Sequence, residues 1–225
     1  MKMTIRKKIF LLTAVLSLAL IIVSIVSASL IFNARIRNDA KEFCNDSAQS
    51  LSGYLSTFDL VVSTSGQINS FIGYYKEKLD AIYDENREEI EKVSLSDEGG
   101  EQALELRKQY FTDLTAGIFG GSGFGASLDI INFRAAYNDV LDEMQRMASI
   151  EGMKECQLYY FDSEHDNLVY MCDSTVSNSV DYNDPCSVEK ASETFVKELA
   201  GKDKITVVSI GEIFAGYAPV KSTAR

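Results

Sequence analysis

The stretch that decides the fold is IFLLTAVLSLALIIVSIVSASLIF, residues 9–32, which contains no charged side chain. As an α-helix rising about 1.5 Å per residue it would extend roughly 36 Å, more than the ~30 Å hydrocarbon core of a bilayer. It therefore predicts a transmembrane helix. A cleaved signal peptide is the alternative, because Val26-Ser27-Ala28 is an acceptable cleavage site. The apolar run is nevertheless longer than the ~7–15 residues usual for such peptides.

The charges on either side of this run predict its orientation. Four cations, Lys2, Arg6, Lys7 and Lys8, precede it, whereas the basic residues that follow are interspersed with acidic ones. Because positive charge is retained inside, we expect residues 1–8 to be a cytoplasmic basic tail and the bulk of the chain to be extracytoplasmic. The lipid bilayer is then a partner, and the chain is a single-pass cell-membrane protein over the residues given.

The exported part is strongly acidic. After Phe32 the chain carries 33 acidic and 18 basic residues, a net charge of −15. Nucleic-acid binding needs a basic face, so we expect no nucleic-acid partner, and the acidity favours cationic or neutral small molecules over anions. The single histidine, His165, argues against a histidine metal cage and a Ser-His-Asp triad. We expect no metal, cofactor or catalytic residue here.

Residues 33–152 are predicted to be helical, beginning with a stalk that continues the membrane helix outwards. Its apolar residues recur mainly every four positions and form one stripe: Ala40, Phe43, Ala48, Leu51, Leu55, Phe58 and Val62. A bend is predicted at residues 63–66. Three more helices are predicted over residues 68–93, 101–116 and 127–149, separated by residues 96–100 and the glycine-rich residues 117–125. The last of these helices is expected to carry Leu128, Ile131, Ala135, Leu141, Met144 and Ala148 on one side.

From residue 153 onwards the pattern changes to short β-prone runs. QLYYFD (residues 157–162) and LVYMCD (residues 168–173) flank the polar turn SEHDN, which predicts a β-hairpin. A short helix is predicted over residues 188–200, then strands over residues 205–210 and 212–220 with a turn at Gly211. The fold class is therefore α+β, with a transmembrane helix, long stalk helices and an antiparallel sheet packed on helices.

The hairpin YYFDSEHDNLVYMCDS resembles the first core strands of the extracytoplasmic Cache-type (PAS-like) sensor domains of bacterial receptors. In that family an aromatic strand ending in Asp is followed by a short turn and a strand ending in Asp-Ser, here Asp162 and Asp173-Ser174. FAGYAPV, residues 214–220, looks like a later core strand. The resemblance implies that residues 153–225 are a sensor core, incomplete at its C-terminus. A second membrane helix and a cytoplasmic output module would follow.

The resemblance also implies where a ligand would bind. Tyr159, Tyr170, Asp173 and Tyr217 are expected to be near neighbours in the sheet, where aromatic hydroxyls and a carboxylate would hold an amine or carboxylate metabolite. The alternative is that the aromatic rings are core and that Asp173 caps the following loop. Strand alternation predicts that Tyr159 and Phe161 point to one face of the sheet, with their neighbours on the other.

Four cysteines, Cys44, Cys156, Cys172 and Cys186, lie in the exported part. An even count permits disulfides, and Cys172 and Cys186 flank one loop and form the best pair. Buried, reduced thiols are the alternative.

We therefore expect the ligand-sensing part of a membrane-bound signal-transduction receptor, acting as a homodimer through parallel stalks. A kinase, cyclase or phosphatase module would follow in the full-length protein, so no enzyme activity is assigned to these residues. One alternative is a bitopic cell-envelope scaffold without a small-molecule ligand. Another is an anchored surface hydrolase that uses His165.

Overall fold

The computed structural model describes residues 5–58, 60–62, 68–97, 99–120, 128–176, 182–200, 202–210 and 213–220. The fold is α+β with a long N-terminal apolar helix, as predicted, but over the described residues the strands form three small sheets instead of the single sheet expected. The helices are α1 (Ile5–Phe58), α2 (Phe71–Ser94), α3 (Glu101–Phe119), α4 (Leu128–Ala148) and α5 (Glu193–Glu198). The strands are β1 (Leu60–Val62), β2 (Ile68–Ser70), β3 (Gln157–Asp162), β4 (Asn167–Asp173), β5 (Val188–Lys190), β6 (Thr206–Ile210) and β7 (Ile213–Tyr217).

The chain divides into two compact units, one of Met1–Asp46 with Val207–Gly216 and the other of Ser47–Thr206 with Tyr217–Arg225. In the first unit, α1 is long and apolar enough to cross a membrane, and none of its most apolar window is buried. Thr13 donates its hydroxyl to the carbonyl of Ile9, and Ser24 to that of Leu20. These polar groups are therefore satisfied inside the helix, as a hydrocarbon environment requires. The orientation of the helix stays a prediction.

Strands β6 and β7 form a two-stranded sheet, and β7 contacts α1 within the first unit. The Cys44 thiol lies 3.5 Å from the carbonyl oxygen of Phe214, and Lys41 Nζ lies 5.8 Å from the centroid of the Phe214 ring. Ala40 and Phe43 of the predicted stalk stripe are half-buried in the monomer. Because part of the stripe is covered by its own chain, less of it is free for another stalk, and the homodimer stays a prediction.

Helix α2 forms the centre of the second unit. Ser70 begins it by accepting a hydrogen bond from the backbone N–H of Gly73 at 2.8 Å, a typical N-cap. The predicted helix over residues 68–93 is confirmed in the main, and its buried face consists of Phe71, Tyr75, Leu79, Tyr83 and Ile90. The predicted stalk stripe is wrong at its outer end, because Leu60–Val62 pairs with Ile68–Ser70 as an antiparallel ladder.

The predicted apolar face of α4 is only partly right. The structure buries Phe133, Ala136, Val140, Met144 and Met147. Of the expected set, Met144 is one of these residues, and Leu141 and Ala148 are half-buried against the core. Ile131 from that set is 51% exposed. The buried residues follow each other at spacings of three and four, whereas the expected set has a gap of six between Ala135 and Leu141. A regular helical stripe that contains a phenylalanine therefore determines the packing.

The predicted hairpin is confirmed as β3 and β4, and β4 is the central strand of an antiparallel sheet ordered β3-β4-β5. Leu158 pairs with Cys172 and Tyr159 with Tyr170, so Met171 has no partner on β3 and forms a β-bulge. Side chains alternate along a strand, so the extra residue places Tyr170 and Cys172 on opposite faces of the sheet.

The helix predicted over residues 188–200 is wrong in its first part. Val188–Lys190 pairs with β4 as an edge strand, with Val169 opposite Val188. The helix begins only after Ser192, whose hydroxyl accepts from the backbone N–H of Phe195 at 3.1 Å. The predicted bend at residues 63–66, most of the glycine-rich residues 117–125 and the turn at Gly211 lie outside the described residues.

Candidate functional site

Three of the four predicted ligand residues lie together: Tyr159 on β3, Tyr170 on β4 and Tyr217 on β7. Tyr217 belongs to the separate β6–β7 sheet and not to the sheet of β3–β5. Tyr159 lies 6.1 Å from Tyr170 and 6.5 Å from Tyr217, measured between ring centroids. Phe195 of α5 lies 5.9 Å from Tyr159, 5.7 Å from Tyr217 and 5.3 Å from Phe161. These five residues, with rings mostly edge to face, are called the aromatic cluster below. They all belong to the second unit.

Phe195 is the member that sequence reasoning missed. It is buried between the tyrosines, and its position is fixed by the Ser192 N-cap, which starts α5 three residues before it. A serine three residues before an aromatic residue, followed by acidic Glu193, is the available signal in the sequence. The cluster is therefore filled by a side chain from a helix of six residues, which a ligand would have to displace.

The cluster keeps polar groups at its edge. The Tyr170 hydroxyl donates to the carboxylate of Glu189 on β5. Burial raises the pKa of Tyr159, Tyr170 and Tyr217, with Glu189 adding to the effect. All three phenols therefore remain protonated, and the single proton of Tyr170 is already donated to Glu189.

Asp173 is engaged elsewhere. Its side chain is fully buried, and its oxygens accept from the backbone N–H groups of Thr175 (2.8 Å) and Asn183 (3.1 Å) and from the Asn183 amide (3.0 Å). These contacts are those of a residue that caps the following loop, the alternative considered from the sequence. A role for Asp173 in binding a ligand stays a prediction.

The cysteines are free thiols in the structure, and three of them are buried. Burial raises the pKa of Cys156 to about 11 and those of Cys172 and Cys186 to about 12, so these thiols are poor nucleophiles. The Cys172–Cys186 disulfide stays a prediction. Among the described residues, no group of three or more His, Cys, Asp or Glu side chains is placed to hold a metal ion.

A separate acidic cleft lies between α2 and the β3–β4 hairpin, with a volume of about 290 Å³. One helix face supplies Lys76, Asp80 and Asp84, which follow each other at intervals of four residues. The hairpin supplies its other side. The residues that line the cleft are Lys76, Asp80, Tyr83, Asp84, Tyr160, Phe161, Asp162, Ser163, Glu164 and His165.

A hydrogen-bond network centred on Asp162 joins the hairpin turn to α2. The Asp162 carboxylate lies 2.7 Å from His165 Nδ1, accepts from the Tyr83 hydroxyl at 2.9 Å and accepts from the backbone N–H of Glu164 at 3.0 Å. Burial alone would raise the pKa of Asp162, but the hydrogen bonds from Tyr83 and His165 hold it below its ordinary value. Buried Asn167 donates to Tyr83 at 2.8 Å and completes the network.

Comparison with known proteins adds no functional assignment. The chain matches no protein-family model, no curated protein and no solved structure. The geometry of the two regions described above is therefore the basis for any statement about function.

Asp184, in the loop that Asp173 caps, makes the stability depend on pH. Burial raises the pKa of Asp184 from 3.8 to about 6, partly opposed by Lys108. Between these two pH values the folded state keeps the Asp184 proton, whereas the unfolded state releases it. The contribution of the protonated Asp184 carboxyl to stability is therefore complete below about pH 4 and is lost as the pH rises through about 6.

We expect Asp184→Asn to raise the free energy of unfolding by about 1 kcal/mol at pH 7, less than the full shift implies because the carboxyl is partly solvated. At pH 4 the variant and the parent should be equally stable, because neither then buries a charge. Urea unfolding at both pH values measures the difference, with the exposed Asp203→Asn as control. An equal gain at both pH values would contradict the assignment.

Proposed function

We propose that the chain is the extracytoplasmic ligand-sensing part of a membrane-bound signal-transduction receptor, with a PAS/Cache-like core and its N-terminus in the cytoplasm. The observation that carries the proposal is the continuity of α1 over 54 residues. Its apolar part is suited to a bilayer. Its outer end places Leu55, only 2% exposed, in the hydrophobic core of the unit that contains β3–β5. The same helix therefore contributes a side chain to the core of the proposed sensor and contains the segment proposed to cross the membrane.

Within the second unit, a short path leads from the aromatic cluster to α1. Tyr217 belongs to the cluster, and two residues later the carbonyl of Pro219 accepts a hydrogen bond from Ser52 of α1 at 2.5 Å. Val220 then packs against the hydrophobic core. A ligand that displaces Phe195 and engages the tyrosines would favour one position of this segment. Movement of this segment would then change the relative populations of two arrangements of the segment against α1.

The membrane topology gives the first test. A reporter enzyme that is active only outside the cytoplasm, fused after Val220 in the full chain, should be active. Replacing Lys2, Arg6, Lys7 and Lys8 together with Gln is the control, and it should reduce that activity because it removes the charge bias. A reporter that is active only when moved to the N-terminus would overturn the proposal.

Ligand binding gives the second test. The full chain in lipid nanodiscs is screened by thermal unfolding against small amines and carboxylates, and a stabilising compound should lose its effect in Tyr217→Phe. Tyr74→Phe is the matched control, because Tyr74 is exposed and lies outside the cluster. A scaffold without a ligand predicts no stabilising compound, and partner binding that survives deletion of residues 155–225.

A further inference from the structure

We propose that the basic segment, residues 2–8, binds the headgroups of anionic phospholipids in the membrane leaflet that α1 enters. The inference rests on the membrane span in the proposed function, and it adds the chemical class of lipid that the chain selects. Three observations carry it: the density of cations, the absence of acidic residues beside them, and their position at the end of the apolar run.

The charge of the basic segment is not neutralised by the chain itself. Its four cations are Lys2, Arg6, Lys7 and Lys8, and the first acidic residue of the whole chain is Asp39. Arg6 and Lys7 are exposed, and among the described residues neither has an ion-pair partner. The negative charge that balances these cations is therefore supplied by another molecule.

The opposite end of the apolar run differs, because acidic residues accompany its cations. Arg35 Nε lies 3.9 Å from the Asp39 carboxylate, one helical turn away, and both side chains are exposed. Glu42 follows, close to Lys41 in the sequence. A concentration of positive charge without acidic neighbours is therefore a property of one membrane boundary and not of the other.

The cations of the basic segment lie at the depth of the lipid headgroups. The charge-free run begins at Ile9, and Arg6 and Lys7 precede it within the same continuous helix. At about 1.5 Å per residue, Arg6 lies about 4.5 Å along the helix axis from Ile9. The headgroup layer on each side of the hydrocarbon core is about 5–8 Å thick. The phosphates are therefore within reach of these side chains, whose aliphatic stems extend along the boundary.

The arrangement of the cations favours several lipids over one headgroup in a pocket. Successive residues of a helix are about 100° apart, so Arg6 and Lys7 face different lipids around α1. A zwitterionic lipid carries its own ammonium group beside the phosphate, whereas an anionic lipid brings uncompensated negative charge. Each Lys or Arg near such a surface strengthens association about fivefold. The segment therefore selects phosphatidylglycerol over phosphatidylcholine.

The test measures which lipids contact the full chain in vesicles of phosphatidylcholine and phosphatidylglycerol. Spin-labelled copies of each lipid are followed by electron paramagnetic resonance, in which lipids that contact a membrane helix give a motionally restricted signal. We expect the association constant of phosphatidylglycerol to be about threefold that of phosphatidylcholine at low salt. The ratio should approach one in about 1 M sodium chloride, where screening limits electrostatic attraction to ~3 Å.

Arg6→Gln combined with Lys7→Gln should lower the low-salt ratio from about threefold to about 1.5-fold, because half of the four cations are lost. Arg35→Gln combined with Arg37→Gln is the matched control. It removes two cations from the boundary where Asp39 already opposes them, so the ratio should change less. An equal loss in the two double variants would show a general charge effect and overturn the proposal. A ratio near one in the parent at low salt would do the same.

Inorganic phosphate distinguishes a lipid surface from a site for free phosphate. At equal ionic strength, it should lower the ratio no more than chloride does, and a larger effect would overturn the proposal. The same spectra separate this inference from the proposed function. Restricted lipid without a preference for phosphatidylglycerol contradicts the inference alone. Absence of any restricted signal from either lipid contradicts the membrane span, and with it the proposed function.

Discussion

Replacing Leu79 with alanine should lower the free energy of unfolding by about 2–5 kcal/mol. Leu79 is completely buried in the middle of α2, among the core residues contributed by α4 and the sheet. Alanine would remove buried apolar surface and leave a cavity that rigid neighbours cannot fill. Because native proteins are stable by only ~5–15 kcal/mol, such a loss is a large part of the total.

Urea unfolding of the full chain in detergent micelles, followed by the near-ultraviolet circular dichroism of its tyrosines, measures this effect. Leu106→Ala is the matched control, since Leu106 is 66% exposed on α3 and its loss should cost no more than about 0.5 kcal/mol. If the two leucine variants were equally stable, α2 would not be the centre of the core.

Replacing Asp173 with alanine should cost about 3 kcal/mol of unfolding free energy, because two backbone N–H groups and one amide lose a charged acceptor in a buried site. Thr175 and Asn183 would be left with unsatisfied donors, and the loop before β5 would lose its cap. Asp173→Asn should cost less, since its side-chain oxygen still accepts a hydrogen bond.

The same urea unfolding assay decides between the two roles that the sequence left open for Asp173. Asp203→Ala, at an exposed position, is the control and should change stability by no more than about 0.5 kcal/mol. A residue used only to bind a ligand would also be dispensable for folding. If Asp173→Ala were as stable as the control, the result would contradict the capping role and favour a role in ligand binding.

The parts of the fold that were predictable are those determined by local pattern. The uncharged run that begins at Ile9 sets the apolar part of α1. The polar turn between two aromatic runs sets the β3–β4 hairpin. Helix α2 was predictable because Tyr75, Leu79 and Ile90 keep a helical spacing. Each of these signals is contained within about twenty neighbouring residues, so no knowledge of the tertiary fold was needed.

What the sequence did not reveal depends on contacts between distant residues. Tyr83 reaches Asp162 over 79 positions, and nothing near either residue indicates the other. Val188–Lys190 became a strand only because the edge of β4 was open to it, which overrides local propensity. For the site, the pairing of Tyr159 with Tyr170 followed from the predicted hairpin. Tyr217 joins them from the separate β6–β7 sheet, which the sequence did not predict, and neither Phe195 nor the acidic cleft was predicted.

Met171 is an extra residue within β4, and it makes the strand's tolerance to a change of length depend on position. Without Met171, Tyr170 and Cys172 would be adjacent, and ordinary alternation would keep them on the opposite faces that they occupy now. Losing or gaining a residue elsewhere in β4 would instead shift the register by one and exchange the faces of the residues beyond that point. Length variation among functional variants should therefore be concentrated at Met171.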